Sequence, residues 1–187
     1  MHRRFLSTYL IKGYQIDSII RQHLWAGGFD YPGVATGHGV THGLGVIEGG
    51  ASISSMRIAD QSSLREGMVI TVGILHRVLP MLTAEPGIYL PSIFGIRLEN
   101  VYVVTVSTVP QYTLLHPTLV RQRKFLKLET LDYIPFQRKM ILDDLMSRQE
   151  MDMLRNYHSR CMDRIQGHCM TDNGRQWLQR ESQAWLQ

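Results

Sequence analysis

Histidine and carboxylate side chains that could bind a metal ion are spread between residues 38 and 99 of the sequence. His38 and His42 lie in a stretch with six glycines, TGHGVTHGLGVIEGG at residues 36–50, and Glu85 and Glu99 follow at a distance. One imidazole with carboxylates is a ligand set that suits hard divalent cations. The residues alone leave three interpretations of the stretch: a metal site, a phosphate-binding loop or a flexible loop.

The glycine spacing does not match the common phosphate-binding loops. A dinucleotide-binding loop needs G-x-G-x-x-G between a strand and a helix. After Gly37 and Gly39 the third glycine position is occupied by His42, and in the second register it is occupied by Glu48. The G-x-x-x-x-G-K-[ST] pattern is also absent from the sequence. The spacing therefore argues against a phosphate site.

The metal interpretation has two forms. His38 and His42 are four residues apart, as in a helical zinc pair, but the glycines around them oppose a helix. The other form combines one histidine with Glu85 and Glu99. Arg97 and Glu99 are two residues apart on a predicted strand, which would place their side chains on one face about 6–7 Å apart. Arg97 could then orient a metal-binding Glu99 or form an ordinary ion pair with it, and spacing leaves both open.

Periodicity and end signals predict the elements that position these residues. Apolar residues on one face predict a helix over residues 14–26, and strands are predicted at residues 68–72 and 95–106. A basic surface connector at residues 121–127 and a short extended piece at 128–135 follow. The capping box S-R-Q-E at residues 147–150 begins a long helix that ends at Gly167, and His158 lies in its apolar seam as a predicted core histidine. A last helix holds Trp177 and Trp185.

Seven blocks of the sequence stand in the order found in a known family. Four of them resemble the C-terminal half of the pita-bread metallopeptidases, aminopeptidase P in particular: TGHGV (36–40), EGMVITV (66–72), EPGIY (85–89) and FGIRLENV (94–101). Three resemble the C-terminal extension of the cytosolic Xaa-Pro aminopeptidases: YIPFQRKMI (133–141), NYHSRC (156–161) and GRQWLQRES (174–182). The resemblance covers residues 13–187 except for the segment 73–84.

The resemblance implies a peptidase that removes an N-terminal residue when proline follows it. The family holds two divalent ions, usually manganese, with two aspartates, one histidine and two glutamates. By position the histidine is His38 and the glutamates are Glu85 and Glu99. Arg97 would support these ligands, and His42 would contact the peptide substrate. A metal pair of this kind lowers the pKa of a bridging water and polarises the scissile carbonyl.

Three features depart from the family pattern. The family reads H-G-T-G-H-G-V-G and later V-H-E-G-P, whereas Val34 and Ile47 occupy the two additional histidine positions here. Neither side chain can donate a hydrogen bond. The chain begins too late for the family's two aspartates, which Asp17 and Asp30 do not match, and residues 73–84 form an atypical apolar insertion. We therefore expect at most one weakly held Mn²⁺ and no hydrolysis of Xaa-Pro peptides by the isolated chain.

The resemblance also implies the fold and the domain division. We expect an α+β fold in which residues 1–120 form the C-terminal half of a pita-bread domain, with a curved antiparallel sheet. Residues 121–187 would form the helical C-terminal extension. The alternative to a peptidase is a non-catalytic remnant or an interaction module. The extension serves dimer contacts in the cytosolic relatives, so a homodimer through residues 151–165 is a further expectation.

Composition narrows the remaining classes of function. The net charge of +4 over 187 residues is too mild to indicate nucleic-acid binding, and no apolar run reaches the length of a membrane helix. Cys161 and Cys169 form no C-x-x-C pair, and a reduced intracellular pair is expected. The start, MHRRFLSTYLIKGY, slightly resembles a mitochondrial leader. We expect a cytoplasmic protein, with a mitochondrial location as the weaker alternative.

Overall fold

The fold was analysed in a computed structural model of the chain. The structure describes residues 11–30, 35–40, 49–56, 62–72, 87–107, 126–168 and 171–185. These residues divide into two compact units, one holding the described residues up to 131 and the other those from 132 onward. The predicted boundary at 120/121, the insertion at 73–84 and the leader-like start lie outside the described residues, and the predicted domain division stays a prediction.

The first unit begins with the predicted amphipathic helix, α1, at Gly13–Ala26. Its buried face carries Ile16, Ile20 and Leu24, as the spacing predicted. The side-chain oxygen of Gln15 accepts a hydrogen bond from the backbone N–H of Lys12 at 2.9 Å, which satisfies a backbone donor at the start of the helix. The chain leaves the helix through Gly28, whose φ of +78° is a conformation that glycine adopts without strain.

Five antiparallel strands form the main sheet of this unit. Their bounds are β1 Ala35–Gly39, β2 Gly49–Ser54, β3 Val69–Val72, β6 Asn100–Val106 and β7 Leu126–Thr130. Their order across the sheet is β2-β1-β3-β6-β7. The strand predicted at residues 68–72 is confirmed by β3. Gly67, with φ +85°, forms the turn before β3, and its N–H donates to the carbonyl of Val104 at 2.8 Å.

The core of the first unit lies where α1 meets this sheet. Seven apolar side chains, each at most 2% exposed, form one cluster: Ile16, Ile20, Ile53, Leu64, Ile70, Val104 and Leu126. Members of α1, β2, β3, β6 and β7 thus share one buried face. Their burial removes apolar surface from water, which is the main contribution to the stability of the sheet.

A separate two-stranded hairpin consists of β4 (Gly87–Leu90) and β5 (Phe94–Arg97). The predicted single strand over residues 95–106 is therefore wrong. It divides at Leu98 and Glu99 into β5 of the hairpin and β6 of the main sheet. The ring of Tyr89 lies over Gly87 and Gly95, where an added Cβ would come within 2.5 Å and 2.8 Å of it.

The structure describes only the last two residues of the basic segment at residues 121–127, which was predicted to be a surface connector. These two residues begin β7, and Leu126 belongs to the core. The prediction of a surface connector is wrong for these two residues. The charged residues of RQRKFLK indicated an exposed segment. Nothing in the sequence indicated that its leucine, Leu126, begins a strand and lies opposite Val106 of β6.

The second unit contains two short 3₁₀ helices, Arg138–Met140 and Asp143–Leu145, followed by α2 (Arg148–Ile165) and α3 (Asp172–Gln183). Ser147 precedes α2, and the carboxylate of Glu150 accepts a hydrogen bond from its backbone N–H at 2.8 Å. The predicted capping box is thereby confirmed. Thr171 caps α3 by accepting a hydrogen bond from the N–H of Gly174.

The chain combines helices with antiparallel sheet, so the predicted α+β class is confirmed. No helix within the described ranges is both long enough and apolar enough to cross a membrane.

Candidate metal-binding site

The structure describes three of the five residues that the sequence predicts at the site. His38 lies in β1, Arg97 ends β5, and Glu99 lies in the two-residue connection from β5 to β6. Glu85 and His42 lie outside the described residues, as do Val34 and Ile47. The roles of all five predicted residues stay predictions.

His38 is held in a defined orientation. Its side chain is buried, and the ring atom Nδ1 lies 3.0 Å from the carbonyl oxygen of Gly39. Since a carbonyl only accepts, a hydrogen bond here requires the proton on Nδ1. In the neutral ring the lone pair is then on Nε2. This is the tautomer in which a metal-binding histidine donates the N–H of its other ring nitrogen to a carbonyl.

Arg97 and Glu99 are paired, although not in the predicted way. Nη2 of Arg97 lies 3.6 Å from Oε2 of Glu99, and the two side chains are 46% and 32% exposed. They do not share a face of one strand, because the strand ends at Arg97. A pair this exposed contributes on the order of 0–1 kcal/mol to stability. The contact keeps both predicted interpretations open, since an ordinary ion pair and an orienting partner have the same geometry.

The candidate ligands that the structure describes are of the types that bind a divalent cation, but they are too few to form a site. His38 supplies an imidazole and Glu99 a carboxylate, which are the ligand types that such ions take. Within the described ranges, no group of three or more His, Cys, Asp or Glu side chains could hold a metal ion. A three-ligand site would therefore need a donor from outside the described ranges, and Glu85 is the predicted one.

A buried polar network at α1 was not foreseen from the sequence. Asp17, Arg21 and Thr36 are all buried, and Nε of Arg21 donates to Asp17 at 2.7 Å. The hydroxyl of Thr36 donates to the other carboxylate oxygen at 2.5 Å. An acid and a base four residues apart beside the apolar face of a helix would have predicted the first contact, but nothing local indicates Thr36.

His158, in the second unit, is a structural histidine as predicted. It is fully buried, and its Nδ1–H donates to the carbonyl of Leu154 at 2.7 Å. Its Nε2 accepts a hydrogen bond from the N–H of Phe136 at 3.0 Å, and the ring stacks on Trp185 with centroids 4.7 Å apart. Burial lowers the pKa of His158, which keeps the ring neutral. Both nitrogens are used by the backbone, so the ring is unavailable as a ligand.

Cys161 lies one turn from His158 and is fully buried. Burial raises the pKa of its thiol to about 11, so the thiol stays protonated at neutral pH. Cys161 is a free cysteine, while Cys169 lies outside the described residues. The thiol is a core side chain and not a nucleophile.

Two family models match the chain in consecutive regions. The model described as metallopeptidase family M24 matches residues 10–106, which is more than half of the chain. The model for the C-terminal region of peptidase M24 matches residues 124–185. The two matches contain most of the described residues of the two units.

Two peptidases of similar sequence agree with these family matches. The chain is 33% identical over 155 residues to Xaa-Pro aminopeptidase 1 of Dictyostelium discoideum, covering 83% of this chain and 21% of the relative. It is 33% identical over 171 residues to aminopeptidase P1 of Arabidopsis thaliana, covering 91% of this chain and 23% of the relative. The chain thus spans about a quarter or less of the length of these relatives.

The fold is similar to that of a solved enzyme. X-prolyl aminopeptidase from Caenorhabditis elegans, described as a cytosolic enzyme with a di-nuclear active site, matches with a TM-score of 0.72 and 26% identity. The match covers 97% of this chain and 26% of that one. The similarity extends over both units and supports the predicted pita-bread fold.

Proposed function

We propose, because this chain belongs to metallopeptidase family M24, that it carries part of the metal site of an Xaa-Pro aminopeptidase. The observation that carries the proposal is the environment of His38. A buried imidazole whose Nδ1–H is donated to a carbonyl presents Nε2 in the form that a metal ion requires. The names of the relatives supply the substrate class, a peptide with proline in the second position.

Three side chains would hold a divalent ion, for which we propose manganese. His38 would contribute its imidazole, and Glu85 and Glu99 would contribute carboxylates, a set rich in the oxygen ligands that Mn²⁺ accepts. Arg97 would orient Glu99 through the ion pair between them. When bound, the ion supplies a polarised carbonyl and a water of lowered pKa.

We propose that these 187 residues alone hydrolyse Xaa-Pro peptides poorly or not at all. Valine at position 34 and isoleucine at position 47 leave two hydrogen-bond donors of the family pattern without equivalents. The loss of one such donor typically lowers the rate about 10²- to 10³-fold. His42 is the remaining histidine of the stretch that could contact substrate, and we propose that role for it.

Peptide hydrolysis and metal binding test this proposal together. The chain, its His38→Ala variant and its Glu99→Gln variant are incubated with Mn²⁺ and an Xaa-Pro peptide, and bound metal is counted after gel filtration. We expect one weakly held Mn²⁺ and no more per wild-type chain, weaker retention in both variants, and no release of the N-terminal residue. Two tightly held ions, or metal retention that both variants leave unchanged, would contradict the proposal.

A homodimer contact in the second unit is a second proposal. Its support is a set of exposed apolar side chains in one short segment, Met140, Leu142 and Leu145. Residues 151–165 are less suitable as a dimer face, because Leu154, Tyr157 and Cys161 are buried. Light scattering should show a dimer for the wild type and a monomer for Leu142→Asp. A wild-type monomer would remove the proposal.

We also propose a cytoplasmic location for the protein. The support is the Caenorhabditis elegans enzyme, which is described as cytosolic and covers nearly all of this chain. A tagged chain should appear in the cytosolic fraction after cell fractionation. Recovery with mitochondria would favour the alternative that the N-terminal sequence raised.

A further inference from the structure

Strand β1 does not follow a regular ladder at His38. The pairing of β1 with β2 shifts register between Ala35 and Gly37 and again between His38 and Gly39. On its other side, β1 has one registered pair with β3, Gly39 with Ile70. Each shift disrupts the ladder locally, so contacts other than ladder hydrogen bonds can help to fix the backbone of β1 at this point.

One such contact comes from Thr71 on β3. The backbone N–H of His38 donates to the hydroxyl oxygen of Thr71 at 3.2 Å, and Thr71 is buried. A side chain thereby takes part in fixing the backbone from which the imidazole extends. Val40, just beyond the strand, donates its N–H to the carbonyl of Val69 at 2.9 Å and continues the contact with β3.

A second contact comes from α1, two residues before His38. The Thr36 hydroxyl donates to Asp17, whose other carboxylate oxygen accepts from Arg21. All three side chains are buried, so the helix and the strand are joined by a polar contact away from water. A hydrogen bond to a buried charged group is stronger than a neutral one and defines the geometry more narrowly.

Gly37 lies between these two contacts and excludes a side chain. A Cβ at this position would be 2.7 Å from the carbonyl oxygen of Thr71. The backbones of β1 and β3 therefore approach closely beside His38. The close approach brings the hydroxyl of Thr71 within reach of the histidine N–H.

We propose that Thr71 and Thr36 are positioning residues that act on His38 through the backbone of β1. Thr71 fixes the N–H of His38, and Thr36 fixes the strand to the Asp17–Arg21 pair. Together they determine where the ring presents Nε2. The functional part of this inference rests on the proposed metal role of His38, whereas the positioning itself is a property of the metal-free chain.

Isosteric variants in the full 187-residue chain separate positioning from packing. Thr71→Val and Thr36→Val remove a hydroxyl and keep the volume, and the corresponding serine variants restore the hydroxyl. Thr105→Val is the matched control, because the buried hydroxyl of Thr105 has no hydrogen-bond partner within the part of the chain that the structure describes. Circular dichroism is used to check that each variant is folded.

The metal-free readout is NMR of His38 at pH 8. In the wild type the ring ¹⁵N shifts should report a proton on Nδ1. In Thr71→Val the amide of His38 should exchange with solvent about tenfold faster and the ring shifts should move toward a mixture of tautomers. Thr36→Val should move the ring shifts in the same direction, while the serine variants and Thr105→Val should match the wild type. Unchanged ring shifts in both valine variants, or an equal change in Thr105→Val, would overturn the proposal.

Mn²⁺ affinity provides the second readout, measured from the free-ion signal in electron paramagnetic resonance. Removal of an orienting partner typically weakens metal binding about 10- to 100-fold, and we expect this for Thr71→Val with recovery in Thr71→Ser. A wild type that binds no Mn²⁺ would refute the proposed function, and the NMR result would still decide the positioning role. Equal affinity in the wild type and both valine variants would overturn the proposed effect on metal binding.

Discussion

Gly37 and Thr71 approach so closely that the space beside the glycine is filled by the threonine's carbonyl. A Cβ on Gly37 would be 2.7 Å from that oxygen and 3.2 Å from Cδ1 of Ile53. The glycine before His38 therefore serves close packing of β1 between its neighbours. Among the glycines of the stretch at residues 36–50, the structure thus gives Gly37 a specific packing role.

Gly37→Ala should lower the free energy of unfolding of the first unit by about 1–3 kcal/mol, because the backbone of β1 or β3 must move. Chemical denaturation followed by circular dichroism measures the change. Gly167→Ala is the control, since a Cβ there meets nothing within 4 Å, and it should change stability by no more than about 0.5 kcal/mol. Equal effects of the two substitutions would contradict the close approach.

His158 should make the stability of the second unit depend on pH. Because burial lowers the pKa of His158 in the folded state, the unfolded chain binds the extra proton first as the pH falls. The stabilisation is complete above the ordinary histidine value of about 6.5 and is lost as the pH decreases below it. Denaturation midpoints between pH 8 and pH 5 should fall for the wild type.

Substitution separates the contribution of His158 from that of the other histidines. His158→Phe keeps a ring against Trp185 but loses the hydrogen bonds to Phe136 and Leu154, so its denaturation midpoint at pH 8 should be lower than that of the wild type. Because phenylalanine cannot titrate, the midpoint should also depend less on pH. His168→Gln, which changes an exposed histidine, should retain the wild-type slope. If His158→Phe also retained that slope, the titration of His158 would not be the cause.

Cys161 should react slowly with thiol reagents. Its thiol is buried and has a pKa of about 11, and the thiolate is the reactive form. In a Cys169→Ser background, which leaves one thiol, the folded chain should be labelled at least about 100-fold more slowly than the chain in denaturant. Equal labelling rates in the folded and the denatured chain would show that Cys161 is accessible to solvent in the folded chain.

Glu150 should stabilise the start of α2. Its carboxylate accepts hydrogen bonds from the backbone N–H and the hydroxyl of Ser147. Glu150→Ala should therefore lower the free energy of unfolding by about 1 kcal/mol, and Glu150→Gln, which keeps an acceptor, should lose less. The exposed neighbour Gln149→Ala should be nearly neutral. A neutral Glu150→Ala variant would show that the capping contact does not stabilise the helix.

Local signals in the sequence were sufficient for α1 and for the start of α2, whereas the predicted last helix ends at Gln183 and does not reach Trp185. The apolar period at Ile16, Ile20 and Leu24 determined the buried face of α1, and the S-R-Q-E motif determined where α2 begins. Both signals act within a few residues, so they need no knowledge of the rest of the fold. His158 was predicted correctly for the same reason, since its neighbours in the helix seam are apolar.

Contacts between distant parts of the chain were not predictable in this way. The β-rich composition of residues 95–106 gave no sign that the chain changes sheets at Leu98 and Glu99. Thr36 and Asp17 are nineteen residues apart and meet only because α1 packs beside β1. The grouping of His38, Glu85 and Glu99 came from the family resemblance, because no local pattern joins one histidine to carboxylates so far along the chain.

Paramagnetic broadening by Mn²⁺ tests most directly whether these three side chains share one ion. In a ¹⁵N- and ¹³C-labelled chain, substoichiometric Mn²⁺ broadens the resonances of nuclei close to the bound ion. We predict that the ring of His38 and the side chains of Glu85 and Glu99 broaden together, and that His38→Ala removes the effect at both glutamates. Broadening of the glutamates that persists without His38, or broadening centred on other residues, would contradict the proposed metal site.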